Sequence, residues 1–173
     1  FFFCWPKMNE IFIRRSIREF VEKPVEKDKI ENILKAGMQA PSAKNQQAWE
    51  FIVVTSKELK NKVSMMSPFS KLASKAAVLI ILLGNKDKMI VSDKWQQDLG
   101  ACTQNMLLQI VKEGLGGVWL GVYPTEERVS SLRDIFKIPD NVEPFGIVSF
   151  GYSEKQNIFV DRYEKSRVHW EEY

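Results

Sequence analysis

A chain of 173 residues, 45% hydrophobic and 27% charged, has the composition of a soluble single-domain globule, which argues against disordered and membrane-spanning classes. Its formal charge of +3 comes from dispersed basic residues, so no nucleic-acid partner is expected, and its two cysteines are too few for a disulfide framework and point to the cytoplasm. The longest apolar run, Ala76 to Leu83, is too short to cross a bilayer, so no membrane association is expected either.

The opening residues FFFCWPK have neither the basic start nor the length of a signal peptide. They precede Met8, which looks like a natural start, and residues 1–7 are expected to be an upstream or artificial extension of one domain over 8–173. From Met8 the pattern predicts a short helix carrying Ile11 and Phe12 inward, then an arginine-rich turn and an extended exit through Phe20 and Val21. Asp28 and Glu31 form a capping-box-like start to a second helix that Pro41 ends. The polar loop SAKNQQA then delivers the chain into a strand from Trp49 to Thr55. Ser56 caps a third helix to about Met66, and the following SPFSKLASK has no readable period.

Ala76 to Leu83 reads as a central strand covered on both faces. From Trp95 to Glu113 apolar residues recur at helical spacing, and the polar positions between them carry few charges. That long helix must be a core, and its polar side is quiet enough to pack against a second subunit. Gly114, Gly116 and Gly117 end it and release a strand from Val118 to Val122, in which Gly121 leaves a position where a flat ligand could approach the backbone. A helix from Thr125 to Phe136 and a strand starting after Pro144 complete the alternation, and the tail from Ser153 has no clear period.

Three stretches could carry chemistry. Arg14, Arg15 and Arg18 surround Ser16 with planar charged donors suited to a monophosphate, although a solvated basic turn would look the same. Ser42, Asn45, Gln46 and Gln47 could hydrogen-bond a heteroaromatic edge, or could simply form a polar loop anchored by Trp49. The strand through Gly121 is the third, and its alternative is close helix-to-sheet packing. The one histidine, His169, leaves no parts for a catalytic triad or a histidine metal site, and Cys102 lies among apolar helix neighbours that disfavour a thiolate. No catalytic side chain and no metal are therefore assigned, and the hard chemistry falls to a cofactor.

Taken together, RRSIR, APSAKNQQAW and QNMLLQIVKEGLGGVWLGVYP resemble, in the same order, the blocks of the nitroreductase family of FMN-dependent flavoenzymes, which includes flavin reductases and halotyrosine dehalogenases. The resemblance implies an α+β fold, with a central mixed or antiparallel sheet flanked by helices, and an intertwined homodimer with two FMN sites at its interface. It implies that Arg14, Arg15, Ser16 and Arg18 take the phosphate and ribityl end of FMN, with Arg162 as a late phosphate-binding residue. Pro41, Ser42 and Asn45 would come from the other subunit, and the backbone near Leu120 and Gly121 would lie by the isoalloxazine ring. The implied activity is ping-pong transfer of hydride from NADH or NADPH through flavin N5 to a small aromatic acceptor such as a nitroaromatic or quinone. A flavin-binding module without nicotinamide turnover and a reductive dehalogenase are the alternatives. Ala48 departs from the proline usual before the tryptophan, and the residues facing the flavin pyrimidine are unassigned. Phe69, Trp95, Trp119 and Tyr123 are expected to form aromatic walls favouring flat apolar acceptors, with Ser64 to Ser74 as the segment that moves to admit them.

Overall fold

The computed structural model describes residues 9–173, so the extension expected over residues 1–7 lies outside the described residues. Helices α1 (Glu10–Ile13) and α2 (Lys27–Met38) lead into β1 (Trp49–Val54) and α3 (Lys57–Ser64). The chain continues through β2 (Val78–Asn85), α4 (Trp95–Lys112), β3 (Gly116–Gly121), α5 (Glu126–Phe136) and β4 (Val142–Gly151). The four strands form one antiparallel sheet in the order β1-β2-β4-β3. Among the described residues the one parallel pairing is a bridge from Ser16 to Gly117, on the outer side of β3.

Each face of the sheet is covered by a helix pair. On one face α2 and α4 bury Ile33, Leu99, Cys102, Met106 and Ile110 against Ile80, Val148 and Phe150. On the other, Val63 of α3 and Leu132 of α5 pack with Leu79, Val118, Leu120 and Ile147. Strand β2 is buried on both faces, which is why its sequence is an unbroken apolar run. Each fully buried leucine or isoleucine in these layers contributes about 1.5–3 kcal/mol relative to exposure. The 18 residues of α4 span roughly 27 Å and reach from one end of the sheet to the other. Gly37 lets α2 approach it: a Cβ there would lie 2.5 Å from the Met106 side chain.

Several expectations are corrected. Helix α1 is a single turn capped by Asn9, and Ile11 points outward at 63% exposure, because the chain turns extended at Arg14 and runs along β3. Asp28 lies in the first turn of α2 and is not its N-cap; Glu26 holds that place. Pro144 lies inside β4: a register shift between Leu82 and Leu83 absorbs the residue that cannot donate to the ladder. The unread segment after α3 is a 3-10 helix over Pro68–Ser74, held by the buried Ser70, whose hydroxyl accepts from the Ser67 N–H at 2.9 Å. Among the described residues no helix is long and apolar enough to cross a membrane.

Candidate functional site

The outer edge of β3 organises the site. The Gly117 carbonyl accepts from the Ile17 N–H at 3.0 Å, and the Gly121 carbonyl accepts from Arg128 Nη1 at 2.9 Å. Both bonds reach the strand from outside the sheet. Since backbone groups alternate sides along an antiparallel strand, the peptide groups of Gly117, Trp119 and Gly121 all face away from β4. The glycines set what can come close. A Cβ at Gly116 would lie 2.7 Å from Ile17, so glycine there lets the arginine segment lie flat on the strand, whereas a Cβ at Gly121 would meet nothing within 4 Å.

At the Gly117 end the structure gathers three of the expected arginines. Arg14 is half-buried, and its guanidinium is held below its ordinary pKa by burial first and then by the charges of Arg15 and Arg162. Asn157 fastens the tail here: its side-chain oxygen accepts from the Arg15 N–H at 2.9 Å and its amide donates to the Leu115 carbonyl at 3.1 Å. Among the described residues none of Arg14, Arg15, Arg18 and Arg162 forms an ion pair with a carboxylate. Arg15 turns part of its guanidinium back onto the Arg14 and Phe12 carbonyls at 2.5 and 3.3 Å, and its Nε is buried with no hydrogen-bond partner among the described residues. Like charges crowded without a counter-charge, beside an unsatisfied buried donor, favour an anion.

Arg18 opens the second part, a groove of about 470 Å³ running along β3 to Gly121. Its walls are Val118, Trp119 and Leu120 on the strand and the 3-10 helix with Phe69 and Lys71 opposite. Among the described residues no carboxylate lines it, and Phe69 is 73% exposed toward solvent. Apolar walls bounded by cations suit a flat aromatic ligand that carries or develops negative charge.

The polar loop stands apart from both. Its hub is Gln46, which is buried and whose side-chain oxygen accepts from the Ile90 and Val91 N–H groups, each at 2.9 Å. The Gln46 amide donates to Asp98 Oδ2 at 2.5 Å, and Asp98 Oδ1 accepts from the Ala43 N–H at 3.0 Å. The same amide also donates to the Val91 carbonyl at 3.3 Å, so Gln46 holds the loop on the first turn of α4 and has no side-chain donor left for a ligand edge. Ser42 Oγ accepts from the Gln47 N–H, and Asn45 Oδ1 accepts from the Gln47 amide. Lys44, Asn45 and Gln47 all have positive φ, a costly backbone that persists because these bonds enforce it. Pro41 and the side chains of Lys44 and Asn45 are exposed on this anchored loop. Within one chain the loop is hydrogen-bonded to α4 and the 90–91 turn, away from the arginine segment.

The expected aromatic walls divide. Phe69 and Trp119 line the groove, but Trp95 is buried against Tyr123 and Phe145 in edge-on contacts, with centroids 4.9 and 5.8 Å away, and with Tyr123 it borders a separate cavity of about 720 Å³. Burial pushes the Cys102 thiol up to about 12, which keeps it protonated and unreactive. His169 stacks on Tyr173 in the exposed tail. Sequence reading missed Asp98, Lys71 and Arg128. Asp98 left a signal, as the one charge between Lys94 and Lys112 on an otherwise uncharged helix, whereas Arg128 looks like any surface residue of an amphipathic helix.

The nitroreductase family model matches residues 11–77 and 66–152. A provisionally named NADH dehydrogenase/NAD(P)H nitroreductase of Archaeoglobus fulgidus is 41% identical over 170 residues, covering 96% of this chain and 98% of that protein. The crystal structure of a provisionally named NADH oxidase from Clostridium acetobutylicum superposes with a TM-score of 0.94 at 44% identity, covering 95% of this chain and 100% of the other. The structure of an FMN-dependent nitroreductase from Clostridium difficile superposes with a TM-score of 0.86 at 29% identity, over 94% and 99% of the two chains. With the family model matched across most of the sheet and helices described above, the chain belongs to the nitroreductase family.

Proposed function

We propose that the chain is an FMN-dependent NAD(P)H oxidoreductase that reduces flat, electron-poor acceptors such as nitroaromatics and quinones. The observation that carries this reading is the β3 edge: an arginine cluster at one end, continuous with an apolar groove that ends at an open glycine, neither of them holding a carboxylate among the described residues. FMN has that shape and charge order, a phosphate at one end and a flat heteroaromatic ring at the other. Arg14, Arg15, Ser16 and Arg162 would hold the phosphate, with the unsatisfied Arg15 Nε and the crowded Arg14 charge as the features an anion relieves. Arg18 would bridge to the ring, and Leu120 and Gly121 would form its floor.

When bound, FMN supplies two-electron chemistry at N5, exchanging a hydride with NADH or NADPH and with the acceptor at one place, so ping-pong kinetics are expected. The protein contributes orientation and charge. Arg18, Lys71 and the edge N–H groups of Trp119 and Gly121 are donors that stabilise negative charge growing on the ring, and water supplies protons without a catalytic acid.

The site is completed by a second copy of the chain. The outer face of α4 presents Gln97, Ala101, Gln104, Leu108 and Val111, none charged and none fully buried. The tail leaves Ile158, Tyr163 and Trp170 exposed, the last at 81%, as expected of a segment made to be covered. A dimer packed on these surfaces would bring Pro41, Ser42 and Asn45 of the partner to the flavin. Purified protein should be yellow, bind one FMN per chain and have the mass of a dimer; a colourless monomer that stays colourless after FMN addition overturns the reading. Anaerobic NADH or NADPH should bleach the flavin. Bleaching by dithionite alone would make it a flavin-binding module.

A further inference from the structure

Arg128 lies outside every segment that the arginine pattern singled out, yet it closes the groove. It sits in the first turn of α5, donates through Nη1 to the Gly121 carbonyl at 2.9 Å, and places its guanidinium 5.7 Å from the Phe69 ring centroid. It thereby clasps the end of β3 to the 3-10 helix across the groove mouth. Its neighbours in the same turn, Glu126 and Glu127, form no ion pair with it among the described residues. Among the described residues its guanidinium pairs with no carboxylate. Gly117, where the phosphate-type cluster begins, and Gly121 are four residues apart, roughly 13 Å of strand. Arg128 thus marks the ring end of a site whose phosphate end is Arg14.

We propose that Arg128 is the residue that sets the reduction potential of the bound flavin, holding the Gly121 peptide against the ring and supplying a positive charge that favours the reduced form. The inference rests on the FMN reading above. Oxidised FMN becomes a ring monoanion on taking two electrons and one proton, so a fixed cation beside the ring favours the reduced over the oxidised state. Lys71 and Arg18 line the same groove, but neither is fixed to the strand that floors the ring. The Arg128 guanidinium is hydrogen-bonded to the Gly121 carbonyl and lies over the Phe69 face.

The test compares FMN-loaded wild type, Arg128→Gln and Arg128→Lys by anaerobic dye-equilibrated potentiometry, with oxidised FMN affinity from titration and far-UV spectra to verify folding. Glutamine keeps a donor for Gly121 but loses the charge, and lysine keeps the charge. The expected result is that Arg128→Gln weakens the preference for reduced over oxidised FMN about tenfold, a fall of ~30 mV for a two-electron couple. Oxidised FMN affinity should change less than about threefold, and Arg128→Lys should recover most of the potential. A potential unchanged in Arg128→Gln, or one that falls equally in Arg128→Lys, overturns the assignment and leaves Arg128 as a cap on a strand carbonyl. A folded wild type that takes up no FMN overturns the proposed function, and this inference with it.

Discussion

Two polar stretches of this chain look alike as strings of hydrogen-bonding residues and differ in what the fold does with them. In the loop from Pro41 to Ala48, Gln46 is satisfied by Asp98, Ile90 and Val91, and Ser42 and Asn45 both bond Gln47. In the segment from Arg14 to Arg18 the guanidinium groups pair with no carboxylate among the described residues, and Arg14 is crowded by Arg15 and Arg162. Groups satisfied inside the chain fix the shape that the loop presents, and guanidinium groups without a counter-charge among the described residues are left to bind an anion. The distinction is invisible in a list of polar residues.

The sharpest way to break this contrast is to delete each kind of group and measure both stability and FMN affinity. Gln46→Ala leaves the Ile90 and Val91 N–H groups and Asp98 without partners, and should cost about 3 kcal/mol in urea unfolding. Arg14→Ala should do the reverse, losing about 2 kcal/mol of FMN affinity with stability changed by less than about 0.5 kcal/mol, since it removes a charge its neighbours repel. Comparable unfolding losses in the two variants would sink the contrast.

The glycines of β3 repeat it within one strand. Gly116→Ala should destabilise by roughly 1–2 kcal/mol, because the added methyl meets Ile17. Gly121→Ala finds open space, so its melting curve should stay put while its FMN titration weakens. The smallest effect concerns Cys102. Its folded pKa is raised above the unfolded value, so the unfolded chain loses that proton first and native stability should decline as pH climbs from 9.0 to about 12. Replacing Cys102 by alanine should flatten that slope, read from pH-dependent unfolding; an unchanged slope would place its cause elsewhere.

Sequence patterning located the helices, the strands and the arginine cluster because each is a local signal. The apolar run of β2, the period of α4 and three arginines within five residues need no tertiary information. What it misplaced depended on distant partners. Pro144 reads as a strand boundary until the shift at Leu83 is seen, and Trp95 reads as a site wall until Phe145 and Tyr123 enclose it. Gln46 looks like a ligand donor unless Asp98, fifty-two positions on, is known to take its amide. The 3-10 helix over Pro68–Ser74 has too short a repeat to register as a period, and Ser70 holds it through bonds that leave no compositional trace.

The outward-facing peptides of β3 also make the strand a reporter on itself. Gly117 is shielded by the chain at Ile17, whereas the N–H groups of Trp119 and Gly121 face outward, so in the ligand-free protein their amide protons should exchange with solvent far sooner than those of Val118 and Leu120, which face β4. A flavin ring laid against the edge would slow exchange at those two positions while leaving the inner pair as they were. Site occupancy could then be followed at two backbone positions, in the dark and without a chromophore, by the time each amide keeps its proton.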